Sequence, residues 1–163
     1  GFTRAPRAAV CAGAYDNEGV AMFRGPATIS FFADNVAAAR DWYAKILQLE
    51  AYFERSGPDG GLVYAEFRIG DYQTELGIID SRFRRAGSTE PGGALLYWHV
   101  DDLDATVSRL LEMGATEYEP VTVRGEGFVT ASVVDPFGNV LGVMENQHYR
   151  DMLEARFGAQ PGE

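Results

Sequence analysis

From residue 27 onward the apolar positions switch between a spacing of two and a spacing of about 3.6, the marks of half-buried strands and of helices facing a core. Ala27 to Phe32 (ATISFF) predicts a strand. Asp34-Asn35 then offers a cap for a helix that carries Val36, Ala39, Tyr43, Ile46 and Leu47 on one face. A short strand is expected at Ala51-Tyr52-Phe53, and Ser56 to Gly61 reads as a loop. Leu62 to Ile69 and Tyr72 to Ile79 are rich in aromatic and β-branched residues, with the turn pair Gly70-Asp71 between them. The predicted order is βαβββ.

The same order returns after the Gly- and Pro-containing stretch Ala86 to Gly93, which reads as a linker. Ala94 to Val100 predicts a strand, and Asp102 caps a helix with Leu103, Val107, Leu110 and Leu111 on its apolar face. Strands follow at Glu117–Val123, Phe128–Val134 and Val140–Glu145, the last two joined by Asp135 to Asn139. Asn35-Val36 matches Asp102-Leu103, and Ile46 to Leu49 matches Leu110 to Met113, so the helices differ by about three residues. The expectation is an α+β protein of two tandem βαβββ modules, 27–85 and 94–146, whose curved mixed sheets enclose a central cavity. Gln147 to Phe157 has Tyr149, Met152, Leu153 and Phe157 at helical spacing, so 147–163 reads as a C-terminal helix and tail. Residues 1–26 read as an N-terminal tail, of which 1–21 could lie outside the native start because Met22 precedes the patterned region.

Charge then narrows the partners. The 163 residues carry a net charge of −10, which repels phosphate backbones and anionic lipid headgroups and favours a neutral or cationic small ligand over nucleic acid or membrane. No run approaches the roughly 18 apolar residues of a membrane span. The single Cys11 has no intrachain partner, and a cytoplasmic location is expected. Gly-rich phosphate loops, Cys-x-x-Cys pairs, His-Glu-x-x-His and Gly-x-Ser-x-Gly are missing from the sequence, so the nucleotide, zinc-protease and serine-hydrolase readings lose their usual support.

The segments FFADNVAAARDWY, YWHVDDLDATVSRLLEMGA and VVDPFGNVLGVME, in this order over residues 27–150, resemble the vicinal oxygen chelate superfamily of glyoxalase I, extradiol dioxygenases and bleomycin-resistance proteins. The resemblance implies four metal-ligand positions, one on the first and one on the last strand of each module. They fall here on Thr28 and Glu75 and on Leu95 and Gly142, both pairs 47 residues apart. Only Glu75 is a usual ligand type, and one carboxylate does not hold a divalent ion. The resemblance also implies a homodimer.

Strand alternation places Thr28, Ser30, Phe32, Glu75, Leu95, Tyr97, His99 and Met144 in the expected cavity as ligand-binding residues. Glu75 could anchor a cation or act as a base, and His99 could complete a catalytic acid–base pair with it; either could instead be hydrogen-bonded structure. A different metal set of Glu75, His99 and Glu145 is opposed by parity, since Glu145 lies three residues past Gly142. Phe32, Phe67, Tyr97, Trp98 and Phe128 could line an aromatic slot or belong to the core. His148 reads as structural, and Arg82, Arg84 and Arg85 form a basic patch beside the linker. The functional expectation is cofactor-free binding, by sequestration, of a small organic molecule such as an antibiotic or toxic metabolite. The alternative is a lyase, isomerase or dioxygenase using a divalent metal or Glu75 and His99.

Overall fold

The computed structural model describes residues 26–84 and 90–158. Each half follows the expected order. In the first, β1 (Thr28–Ala33) leads into α1 (Val36–Leu47), then β2 (Phe53–Ser56), β3 (Leu62–Ile69) and β4 (Thr74–Asp80). In the second, β5 (Tyr97–His99) leads into α2 (Leu103–Glu112), then β6 (Thr116–Gly125), β7 (Phe128–Val134) and β8 (Val140–Asn146); α3 (Gln147–Phe157) follows. The sheets have matching orders, β1-β4-β3-β2 and β5-β8-β7-β6, with the first strand parallel to the last in each. They are two separate four-stranded sheets and do not close around a cavity.

The helices start where side chains can bind the free amides of the first turn. Asn35 accepts from Ala38 N at 2.9 Å and Asp102 from Ala105 N at 2.9 Å. Each helix lays its apolar stripe on its own sheet. Val36, Ala39 and Tyr43 of α1 meet Ala65, Phe67, Leu76 and Ile78; Leu103 and Leu110 of α2 meet Ala131, Val133 and Leu141. Burying one such large side chain contributes about 1.5–3 kcal/mol. Phe67 is wholly inside this core and Trp98 packs against it, which removes both from any aromatic slot.

Element ends differ from the sequence expectation where tertiary pairing overrides a local pattern. The strand expected at 51–53 is Phe53–Ser56, an edge strand exposed at every position, so it has no alternation to read. Tyr72 and Gln73 belong to the turn after Gly70, where Gln73 N bonds Gly70 O at 3.1 Å, and β4 begins only at Thr74. β5 is three residues long rather than seven, because its bonding to β8 runs only from the Leu96 carbonyl to Val100 N. Leu95 is therefore outside the strand, and the residue opposite Gly142 is Tyr97. Leu111, expected on the apolar face of α2, is exposed, as are Met152 and Phe157 of α3. Part of the 86–93 linker, Arg85, Cys11 and the N-terminal segment lie outside the described residues.

The halves are joined by a buried polar network. Tyr43 of α1 donates to Asp135 at 2.5 Å; burial, with the Asp135 charge second, pushes its phenol well above the ordinary range. Asp135 also accepts from Phe137 N and Asn139 N, and orients the Asn139 side chain at 2.9 Å. Asn139 in turn brackets one residue of β1, accepting from Phe32 N at 3.0 Å and donating to Phe32 O at 2.9 Å. Trp42 adds a bond from its indole nitrogen to Met113 O at 2.7 Å and an edge contact to Phe137.

Asp135→Ala strips a buried acceptor from four donors at once and is expected to cost about 3 kcal/mol, against about 1 kcal/mol for Tyr43→Phe, measured by urea unfolding. At Gly142 an added Cβ would lie 2.5 Å from the Leu96 carbonyl oxygen and 2.8 Å from the Tyr97 ring. Gly142→Ala is expected to lose about 2 kcal/mol by overpacking, while Gly92→Ala, whose Cβ would meet nothing within 4 Å, stays within about 0.5 kcal/mol.

Candidate functional site

Alternation along β1, β3 and β4 sends one set of side chains into the core and the other onto the opposite face of the first sheet. On that face Thr28 stands beside Glu75, as the sequence spacing requires, and its hydroxyl donates to Glu75 Oε2 at 2.9 Å. Arg68 is opposite Glu75 on β3, and Glu66 is opposite Gly77. Tyr64 crosses over Gly77, where a Cβ would meet its hydroxyl at 2.7 Å, and donates a short bond to Glu66. Burial raises the Glu66 carboxyl, and the Glu75 charge raises it further, against a lowering by Arg68. The Tyr64 phenol is raised by the same burial and the same charge.

Beside this face lies an open cleft of about 760 Å³ at the junction of the halves. Thr28, Ser30 and Phe32 form one wall; Gly93, Leu96 and Val140 are on the other side. Arg84 places its guanidinium 5.0 Å from the centre of the Phe32 ring, so the arginine read as part of a loop patch is a cleft residue. Arg82 pairs instead with Asp80 at 2.8 Å, which lowers the Asp80 carboxyl.

The remaining expected residues lie elsewhere. Tyr97, His99 and Met144 are on the second sheet, which also presents Thr130 and Glu119. Tyr97 leans over Gly142 and donates to Glu119 at 3.3 Å; burial, then Glu119, raises its phenol. His99 is engaged on every side. Its Nδ1 accepts from Asn146 N at 3.2 Å, its Nε2 is 3.4 Å from Asp101, and its ring stacks on Tyr149 at 4.6 Å. The acid–base pair of His99 with Glu75 is thus corrected: no hydrogen bond joins them, and the imidazole acts as a packing piece beneath α3. Tyr149 is itself anchored to Asp71 at 2.7 Å, a bond that with burial raises its phenol strongly. Leu95 is corrected as the partner position of Gly142, and Leu96 rather than Leu95 reaches the cleft. Glu145 turns toward α2, accepting from Leu103 N at 3.0 Å, as parity requires.

These positions do not fit a divalent ion. Thr28 and Glu75 are bonded to each other, Tyr97 offers a protonated phenol, and the space for a side chain at Gly142 is filled by the Leu96 carbonyl and the Tyr97 ring. Among the described residues no three His, Cys, Asp or Glu side chains converge as a metal site requires. Sequence reasoning missed Asn139, Glu66 and Tyr64. The only signal for Asn139 was its place at the end of the turn between β7 and β8; Glu66 and Tyr64 were marked by the alternation of β3 itself.

Residues 25–143 match the model of the glyoxalase/bleomycin resistance protein/dioxygenase superfamily. An uncharacterized protein of Mycobacterium bovis is 30% identical over 134 residues, 78% of this chain and 88% of its own length. A superfamily member from Sphaerobacter thermophilus has a similar fold, with TM-score 0.60 and 21% identity over 77% of this chain and 99% of that one. A glyoxalase-related enzyme from Fulvimarina pelagi gives 0.59 and 16%, over 75% and 88%. The repeated βαβββ order, the shared sheet topology and the family match over most of its length place this chain in the glyoxalase/bleomycin resistance protein/dioxygenase superfamily.

Proposed function

We propose that the protein is a cytoplasmic, homodimeric binding protein that sequesters a small organic molecule, such as an antibiotic or toxic metabolite, without a metal or other cofactor. The observation that carries this reading is an open cleft of about 760 Å³ beside Glu75, and it is supported by the filled space at Gly142 and the Thr28 bond to Glu75. That volume lies within the range of about 300–1,000 Å³ common for small-molecule sites. The cleft carries charges of both signs, Arg84 over the Phe32 ring and Glu90, and so suits an uncharged compound, with a cation drawn to the acidic side. Phe32 offers a ring and Thr28 links the cleft to Glu75, with Glu66 on the same face. The net charge of −10 favours the same class at long range. No helix among the described residues is long and apolar enough to cross a membrane. Exposed Phe53, Tyr118 and Val123 on the outer strands supply apolar surface for a second copy.

A catalytic reading draws on one observation, the raised carboxyl of Glu66 beside Glu75 on a single sheet face. The two carboxyls on one face would serve as acid and base, with Glu66 taking the place expected of His99. Turnover that survives chelation and disappears in both Glu66→Gln and Glu75→Gln would establish it.

Screening against cationic and neutral natural products is expected to find compounds that raise the melting temperature with concentration, as binding to the native state alone requires. No shift across a broad panel overturns the proposal. For a cationic hit, Glu75→Gln is expected to weaken binding about tenfold, the effect of one charge-assisted contact. Affinity should rise with pH through the raised Glu66 range, because the carboxylate attracts a cation only once ionised, and Glu66→Gln should flatten that rise. Sedimentation equilibrium is expected to give twice the chain mass of 17.8 kDa.

A further inference from the structure

The wall of the cleft is the open edge of a β-sheet. β1 is the outermost strand of its sheet, bonded on one side only, to β4. The ladder begins with Glu75 N bonding Ala27 O at 3.1 Å, and the register pairs Thr28 with Glu75 and Ser30 with Gly77. In a parallel ladder this phase turns the N–H and C=O of Ala27, Ile29, Phe31 and Ala33 toward β4. The N–H and C=O of Thr28, Ser30 and Phe32 point the other way, toward the cleft.

Phe32 confirms that phase. The carboxamide of Asn139 is one amide unit, held by Asp135, whose oxygen accepts from Phe32 N and whose nitrogen donates to Phe32 O. Its N–H and C=O face the same way, as the N–H and C=O of a single residue in a neighbouring strand do. Two residues earlier, Ser30 presents the same donor and acceptor pair. Among the described residues nothing bonds it on that side, and it lines the cleft. An exposed donor and acceptor pair on a strand edge is a template for an extended amide. The cleft lining also includes the small residues Gly92, Gly93 and Ala94, beside Leu96 and Val140.

We infer that the molecule bound in the cleft is peptidic: an extended residue flanked by two secondary amides, whose N–H and C=O pair with the backbone of Ser30 and continue the edge pairing Asn139 has begun at Phe32. This rests on the ligand-binding reading above and names the chemical class. The ligand contributes one N–H to the Ser30 carbonyl and one C=O to the Ser30 amide, so an ester or N-methylated backbone loses a bond that a peptide makes. The Phe32 and Thr28 side chains, on the sheet face beside the edge, then meet its substituents.

The test uses acetyl-Ala-Val-Ala dimethylamide and the same compound N-methylated at all three residues, titrated into the full-length ¹⁵N-labelled protein. The unmethylated probe is expected to shift the Ser30 amide resonance saturably, and the methylated one to bind at least tenfold more weakly. Equal responses, or no saturable shift at Ser30, overturn the inference. Ser30→Pro removes the cleft-facing N–H while leaving the ladder to β4 intact, a substitution that edge strands tolerate. It should abolish the shifts of neighbouring Thr28 and Phe32 with the melting temperature little changed; retained binding overturns amide pairing. If that variant fails to fold, the two probes on the unaltered protein still decide. A non-amide compound that stabilises the protein while the Ser30 amide ignores the peptide probe would preserve sequestration and overturn this inference alone.

Discussion

Everything at the junction of the two halves depends on the Asp135 carboxylate. A buried charge is costly unless its lone pairs are filled, and this one is filled from both directions by Tyr43, Phe137 N, Asn139 N and the Asn139 side chain. The result is a rigid connection from α1 through the β7–β8 turn to the edge of β1. The sheets share no ladder, so this network and the packing of Trp42 on Phe137 set how one half stands against the other. The cleft is bounded by the same turn and the same strand, and its width follows from that connection.

The C-terminal helix makes a second connection on the other side. α3 starts at Asn146, whose side chain caps Tyr149 N at 3.0 Å while its own backbone amide binds His99. Tyr149 reaches the first half through Asp71 and an edge contact with Tyr72. A histidine on a strand end thus serves as the seat for a helix. Its Nδ1 accepts the Asn146 backbone amide while its Nε2 faces Asp101.

The sequence made the repeat legible because strand and helix periods depend on burial, and β3 and β7 begin and end where the periodicity places them. It was weakest where burial gives no period: β2 is exposed along its length, and β5 is an edge strand of three residues. The pairing of Thr28 with Glu75 was legible because both lie in regular strands with a fixed register. Leu95 failed as their counterpart because equal spacing along the chain assumes equal strand lengths, and β5 starts late. Asn139 and Glu66 were hidden for a different reason. Their roles depend on what packs across from them, Phe32 in one case and Gly77 in the other, and neither contact is local in sequence.

The two sheet faces close their central glycine in the same way. In the first half Tyr64 covers Gly77 and donates to Glu66; in the second Tyr97 covers Gly142 and donates to Glu119. A tyrosine lying flat over a glycine fills the space that a longer side chain on the last strand would otherwise enter, and its hydroxyl engages the carboxylate beside it. Both faces therefore hold an aromatic ring and an acid already bonded to each other. Beside the first face runs the edge of β1, where the N–H and C=O of Thr28, Ser30 and Phe32 point away from β4 and toward the cleft. The family scaffold is retained here with a tyrosine and its bonded acid covering the central glycine of each face, and the strand edge beside the first face keeps its own backbone donors and acceptors.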